Sequence, residues 1–190
     1  MRAADLIAAL PERREEFEAT GDWAEELRTL PPNTVETLWG LGMFGLKSPA
    51  ELGGSPLDPL SFCDVIEELA CINTSVAWAA VIGAGCDGVA GGWLPRGGRP
   101  QGVRGRPSVP CGRGATVAAR HRHSCGLRVP RTGHWGFSSG ILHADWLIGM
   151  FATDASSSPL GQGASPRRLV VFVIPKEQAE VIDNCHVAGL

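Results

Sequence analysis

No aspartate or glutamate occurs between Asp87 and Asp145. Across residues 96–131 lysine, isoleucine, phenylalanine, methionine and tryptophan are missing as well, and leucine appears only as Leu127. So little apolar surface cannot offset the entropy of ordering the backbone, and this segment is expected to be disordered. The chain also lacks a long hydrophobic run. Stretches such as VAWAAVIGAG, residues 76–85, fall short of the roughly 18 residues a membrane helix needs. The acid-rich amino-terminal section does not read as a signal peptide, so a cytoplasmic protein without membrane contact is expected. Paired cysteine spacing is absent too. Cys63, Cys71, Cys86, Cys111, Cys125 and Cys185 are scattered, which favours free thiols over a disulfide framework.

What is present fits a globular protein: 190 residues, 44% hydrophobic, with a formal net charge of -3. That small charge conceals an asymmetry. Nine of the 17 basic residues are arginines between Arg96 and Arg131, where Arg, Gly and Pro together fill 20 of 36 positions. Three readings compete. The foremost is an out-of-frame stretch of GC-rich coding sequence, which favours these residue types. The others are an ordinary disordered linker and a basic arm for nucleic acid, which lacks interleaved aromatics for base stacking.

On the amino-terminal side, residues 3–30 read as helix, with Leu6, Ile7, Leu10, Phe17, Trp23 and Leu27 as apolar anchors and Pro11 as a break. After Pro31 and Pro32, Asn33 can cap a helix through Val35, Leu38, Trp39 and Leu41, closed by Gly40 or Gly42. Pro49, Gly53 and Gly54 punctuate a loop. A helix starting at Asp58 and Pro59 carries Leu60, Val65, Ile66, Leu69 and Ala70 at helical spacing. Asn73, Thr74 or Ser75 caps a second, more apolar helix through Val76, Trp78, Val81 and Ile82, ending near residues 93–95.

On the carboxyl-terminal side the pattern changes. Residues 146–151, 169–175 and 180–187 are short, rich in Val, Ile, Leu and Phe, and separated by polar clusters, which predicts strands. Helices followed by strands give an α+β fold with three sections: a helical domain over residues 1–95, the anomalous segment 96–131, and a partial β-domain over 132–190.

The run from Phe44 to Trp78 resembles the acyl-CoA dehydrogenase superfamily. Its proline, Gly-Gly turn, E-E-L-A helix and small polar break stand here as Pro49, Gly53 and Gly54, Glu67 to Ala70, and Asn73 to Val76. The later run WGFSSGILHADW, Trp135 to Trp146, is similar to a branch of that superfamily, the two-component flavin monooxygenases that hydroxylate aromatic rings with reduced flavin. Dehydrogenases proper carry Thr two residues after the flavin-side Trp, whereas Phe137 stands there in this chain.

The resemblance implies FAD or FMN as cofactor, with Trp135, Phe137, Ser138 and Ser139 beside the flavin and His143 as a substrate contact. It implies a small-molecule substrate, aromatic for the hydroxylase branch or acyl-CoA for the alternative dehydrogenase chemistry, and a homotetramer. The branch often has a His where Cys86 stands. The superfamily's β-domain is followed by a four-helix bundle that carries the catalytic residues, and no such segment is read here, so no catalytic residue is assigned. The polypeptide alone is expected to be inactive and to bind flavin weakly or not at all. A non-catalytic helical interaction module stays open as another class.

Three short patterns compete with this reading. Gly136 to Gly140 fits G-x-S-x-G, with Asp154 or Asp183 and His186 completing a hydrolase order, but a basic, proline-broken stretch precedes it instead of a strand. Gly83, Gly85 and Gly88 fit G-x-G-x-x-G, yet the following acid is absent and Gly91, Gly92 and Pro95 cut the helix short, so close helix packing is expected. Cys111, His121, His123 and Cys125 match no trusted zinc spacing, and no metal is expected.

Overall fold

Apolar side chains recurring at three- and four-residue spacing from Leu6 to Ile72 need a shared interior, and a set of packed helices supplies it. The computed structural model describes residues 2–93, 111–114, 135–136, 139–152 and 169–183. Helix α1 spans Ala3–Ala9 and α2 spans Arg14–Leu27, separated by a 3-10 turn, Leu10–Arg13, that carries Pro11. Proline lacks the N–H that an α-helix interior would use, so the break falls where it is expected. Helix α3 is Pro32–Gly40, α4 is Pro59–Ile72 and α5 is Thr74–Trp93.

The helix starts are set by local chemistry. Asp58 Oδ1 accepts from the N–H groups of Leu60 and Ser61, each at 3.1 Å, and Pro59 takes the first helical position. Asn73 is the cap of α5: its Oδ1 accepts from Ser75 and Val76 at 3.0 and 3.1 Å, while its Nδ2 donates to the Phe17 carbonyl at 2.9 Å. One asparagine therefore starts a helix and ties it to α2. Asn33 is not a cap. Helix α3 begins two residues earlier than that cap requires, at Pro32, which leaves Asn33 inside the first turn and Pro31 as the flanking residue.

Leu6, Leu10, Phe17, Leu38, Met43, Phe44, Leu46, Val65, Leu69 and Val76 form the buried centre of the helical unit. Each large side chain so buried contributes about 1.5–3 kcal/mol before entropy is counted. Several expected anchors face outward instead. Trp23 is 65% exposed and Leu27 45%, because the inward line of α2 runs through Phe17, Thr20 and Ala24, with Thr20 Oγ1 hydrogen-bonded to Thr34 Oγ1 on α3 at 2.9 Å. Leu60 is 77% exposed because the inward line of α4 runs through Phe62, Val65, Leu69 and Ile72. Trp78 is 46% exposed; small residues, Ala77, Ala80 and Ala84, carry the α5 packing there.

That small-residue character extends to one side of α5 on which the loop of residues 43–57 lies. A Cβ placed on Gly83 would sit 2.4 Å from Phe44 Cδ1, and one on Gly88 would sit 2.7 Å from Lys47 Cβ. Two of the three glycines of the G-x-G-x-x-G pattern, Gly83 and Gly88, thus serve close packing in mid-helix, and the pattern forms no nucleotide turn. The loop closes on itself through Ser55 N–H to Gly45 O at 3.0 Å and Leu57 N–H to Leu46 O at 2.9 Å.

Strands β1 (Cys111–Gly114), β2 (Trp135–Gly136), β3 (Trp146–Ala152) and β4 (Leu169–Pro175) form one sheet in the order β2-β1-β3-β4. The β3–β4 pairing is antiparallel and runs from Trp146 opposite Pro175 to Ala152 opposite Leu169; β1 lies parallel to β3. β1 comes from the basic segment, so those four residues are ordered as strand; the remainder of 96–131 lies outside the described residues. The strand expected over 180–187 is not formed in its described part. Pro175 ends β4, a 3-10 turn follows at Lys176–Gln178, and residues 180–183 carry no ladder. Cys86 and Ile82 of α5 pack against Trp146, Ile148, Val171 and Val173, joining helices to sheet. The small thiol at residue 86 is a packing contact here. No helix among the described residues is long and apolar enough to cross a membrane.

Gly83→Ala is expected to lower stability by about 1–3 kcal/mol through overpacking against Phe44. Gly85→Ala, whose Cβ would meet nothing within 4 Å, is expected to be neutral or stabilising by up to about 1 kcal/mol. Urea midpoints that fall equally for both variants would contradict the packing assignment.

Candidate functional site

Alternation along β3 and β4 sends Ile148, Val171 and Val173 toward α5 and leaves Gly149 and Phe172 for the opposite face. Gly112 of β1, Gly149 of β3 and Phe172 of β4 are register partners in one row across the sheet. Glycine at 149 is required by contact: a Cβ there would lie 2.3 Å from Phe172 Cζ. The tip of the Phe172 ring therefore takes the space of a side chain at 149, and the ring meets the indole of Trp135 edge-on, with centroids 5.3 Å apart and planes at 67°. Phe172 is buried and Trp135 half-buried, so the pair offers part of an aromatic surface on the sheet face turned away from α5.

Trp135 leads to a turn at Ser139 and Gly140, with Gly140 at φ 80, and then to a short 3-10 helix, Ile141–His143. Ser139 is half-buried. His143 projects into a second feature, an open cleft of about 480 Å³ lined by Leu142, His143, Asp145, Lys176, Glu177 and Val181, among others. Lys176 shapes it by donating through Nζ to the Leu142 carbonyl at 2.8 Å and through its backbone N–H to Asp145 O at 2.9 Å. Burial, and then the positive charge of Lys176, lower the His143 pKa below its usual value, so the imidazole is neutral at pH 7. Its Nδ1 lies 3.4 Å from Thr29 Oγ1 on the loop after α2.

A second tie from the same loop lies nearby. Arg28, in the left-handed conformation at the end of α2, pairs both guanidinium nitrogens with the carboxylate of Asp183, Nη1 to Oδ1 at 2.8 Å and Nη2 to Oδ2. This occupies Asp183 in a structural clasp, which removes it as the acid of a hydrolase triad; Ser138, Asp154 and His186 lie outside the described residues.

Of the residues expected at a flavin edge, Trp135 and Ser139 are thus placed on one side of the sheet and in the turn beside it, while Phe137 and Ser138 lie outside the described residues. His143 has its own surroundings in the cleft. The sequence reading missed Phe172 as the partner of Trp135, together with Thr29, Arg28 and Lys176. A glycine in the middle of the apolar strand WLIGMFA was a usable signal of close approach at that point. No group of three or more His, Cys, Asp or Glu able to hold a metal occurs among the described residues; of the four zinc candidates, only Cys111 lies within them, in β1.

Residues 13–91 match the acyl-CoA dehydrogenase N-terminal domain. Those residues carry an acyl-CoA dehydrogenase-like amino-terminal domain. Over 202 aligned residues it is 30% identical to the flavin-dependent monooxygenase oxygenase subunit HsaA of Mycobacterium tuberculosis, which takes in 99% of this chain and 45% of the relative. It is 27% identical to a pigment production hydroxylase of Rhodococcus erythropolis over 184 residues, 90% of this chain and 43% of that one. The acyl-CoA dehydrogenase-like chain spans about half the length of these curated relatives, 45% and 43%. The crystal structure of M. tuberculosis HsaA superposes with a TM-score of 0.76 at 25% identity, covering all of this chain and 49% of HsaA. XiaF from Streptomyces, solved with FADH2 and glycerol, shares the fold at a TM-score of 0.76 and 22% identity, covering 98% of this chain and 45% of XiaF. The homologues are flavin-dependent monooxygenases and hydroxylases.

The Arg28–Asp183 pair is 38% exposed on each side, so a double-mutant cycle with Arg28→Ala and Asp183→Ala is expected to give a coupling of only about 0.2–1 kcal/mol, shrinking as salt rises. A coupling well above that range, insensitive to salt, would show that the clasp and not apolar packing fastens residue 183 to the helices.

Proposed function

We propose that this chain belongs to the oxygenase component of a flavin-dependent monooxygenase that hydroxylates a small aromatic substrate, with FAD as the flavin and a homotetramer as its assembly. The observation that carries the reading is the Trp135–Phe172 surface with the Ser139 turn at its edge. The flavin dependence of the relatives, and a neighbour solved with FADH2, support a flavin as the occupant of that surface.

The residues present suit such a ring. A half-buried indole, locked edge-on by a buried phenylalanine, is a flat wall with little freedom left to lose on binding. Hydroxyl and N–H donors along residues 137–139 are the right type for the polar edge of an isoalloxazine, so Trp135 and Phe137 would wall the ring while Ser138 and Ser139 would hydrogen-bond it. Bound reduced flavin supplies the electrons that activate oxygen for transfer to the substrate. The chain's own contribution is to hold the ring, exclude water from its Trp135 side and position the substrate through His143. A neutral imidazole held by Thr29 can accept or donate one hydrogen bond to a phenolic hydroxyl without bringing a charge into the site.

Flavin is expected to be titratable onto the purified protein without co-purifying in stoichiometric amount. Titration with FAD and with FMN, followed by tryptophan emission, is expected to show saturable quenching that Trp135→Ala weakens by roughly tenfold, the loss of about 1.4 kcal/mol of ring contact. Trp23→Ala, on the exposed side of α2, leaves the affinity unchanged. Equal affinities for wild type and Trp135→Ala would overturn the assignment of the aromatic surface.

A further inference from the structure

Asp87 is the one charged side chain in the 20 residues of α5, and it points inward, only 6% exposed. Its hydrogen-bonding partner among the described residues is the hydroxyl of Ser48, equally buried, which donates to Oδ2. A carboxylate taken out of water ordinarily needs a cation or several N–H donors. Among the described residues neither is supplied.

Among the described residues, the elements packed around it offer no compensating charge. On the loop of residues 43–57, Lys47 directs its ammonium to the Phe62 ring, 4.5 Å from the centroid, and Glu51 is exposed. On α4, Asp64 and Glu67 are exposed and Glu68 half-exposed, and none of these groups pairs with Asp87. Helix α2 meets the start of α5 at Asn73, some 14 residues away or about 21 Å along the axis. Among the described residues, the sheet side chains packed at Cys86 are Trp146, Ile148, Val171 and Val173, none of them charged.

Ser48 lies within the loop whose fit depends on the glycine face of α5, between Phe44 over Gly83 and Pro49 over Gly91. We propose that Ser48 and Asp87 form a proton-operated latch that holds the 43–57 loop against α5 while Asp87 is neutral and loosens it when Asp87 ionises. In the closed state a neutral carboxyl shares a hydrogen bond with the hydroxyl at little electrostatic cost. An ionised one has Ser48 as its one donor among the described residues in a buried site, and lifting the loop lets water solvate it.

The direction of the pH effect follows from the same burial. Desolvation raises the Asp87 pKa from 3.8 to about 6, against the opposing pull of the Ser48 hydrogen bond. An acid whose value is higher in the closed state than in the open one holds its proton preferentially when closed. The latch is therefore fully engaged below about pH 4, weakens as pH rises toward about 6, and is constant above that. This is opposite to the behaviour of a carboxylate stabilised by a salt bridge.

Amide hydrogen exchange on the full chain between pH 4 and 7.5 tests this, read as protection factors at Ser48, Gly54 and Leu57 after correction for intrinsic rates. Wild-type protection is expected to fall across that window by up to roughly a hundredfold, the limit set by a displacement of about two pKa units. Asp87→Asn, which keeps the shape and a hydrogen bond without the charge, is expected to give a flat profile. Ser48→Ala removes the donor that favours the ionised form, so its midpoint is expected at higher pH. A flat wild-type profile, or an Asn variant that follows the wild-type decline, overturns the latch. Should the Asn variant not fold, an unshifted midpoint in Ser48→Ala overturns it instead.

Discussion

Two layers of structure depend on how closely other chain segments can approach α5. Gly83, Gly88 and Gly91 present backbone where side chains would otherwise stand, and the 43–57 loop occupies that space with Phe44, Lys47 and Pro49. Methyl groups there would demand displacements that the buried Phe44 ring cannot make cheaply, because interiors are packed to crystal-like density. With the loop seated, the ridge of α5 carrying Ile82 and Cys86 is free to receive β3 and β4. A helix with five glycines among its 20 residues is weakened by propensity at each of them. Its stability comes from being covered on several sides.

The sheet follows the same logic at smaller scale. Gly149 lets the Phe172 ring lie across β3, and only then can Phe172 and Trp135 meet. The aromatic surface proposed to wall the flavin is thus a consequence of one missing side chain in a strand. Apolar packing through Cys86 binds this sheet to the helices, and the half-exposed Arg28–Asp183 clasp adds little energy. Its use lies in direction: together with Thr29 and His143 it brings the loop after α2 to the rim of the Lys176 cleft.

Features written in consecutive residues were legible in the sequence. The Asp58-Pro59 start of α4, the Pro11 break and the β3 and β4 strands rest on local backbone chemistry, and the structure places them as read. Features that depend on a distant partner were not. Trp23, Leu27 and Leu60 have the right character for a core, but the inward faces of their helices are decided by Thr34 across α3 and by Phe62 and Ile72, so these side chains point to solvent. Asn73 was one of three equal caps until the Phe17 carbonyl, 56 positions away in sequence, selected it. In the site, Trp135 stood out as a motif residue, whereas Phe172 did not, since nothing in the run LVVFVIP marks one phenylalanine as reaching across two strands.

The sheet face turned away from α5 is the face proposed to receive a flavin. Indole N–H resonances of the 15N-labelled protein, recorded as reduced FAD is added under anaerobic conditions, test it most directly. The Trp135 signal is expected to move progressively and saturably, along with the Ser139 amide, while those of Trp23 and Trp78 stay in place. Shifts confined to the helical unit, or a Trp135 resonance unmoved at saturating flavin, would contradict it.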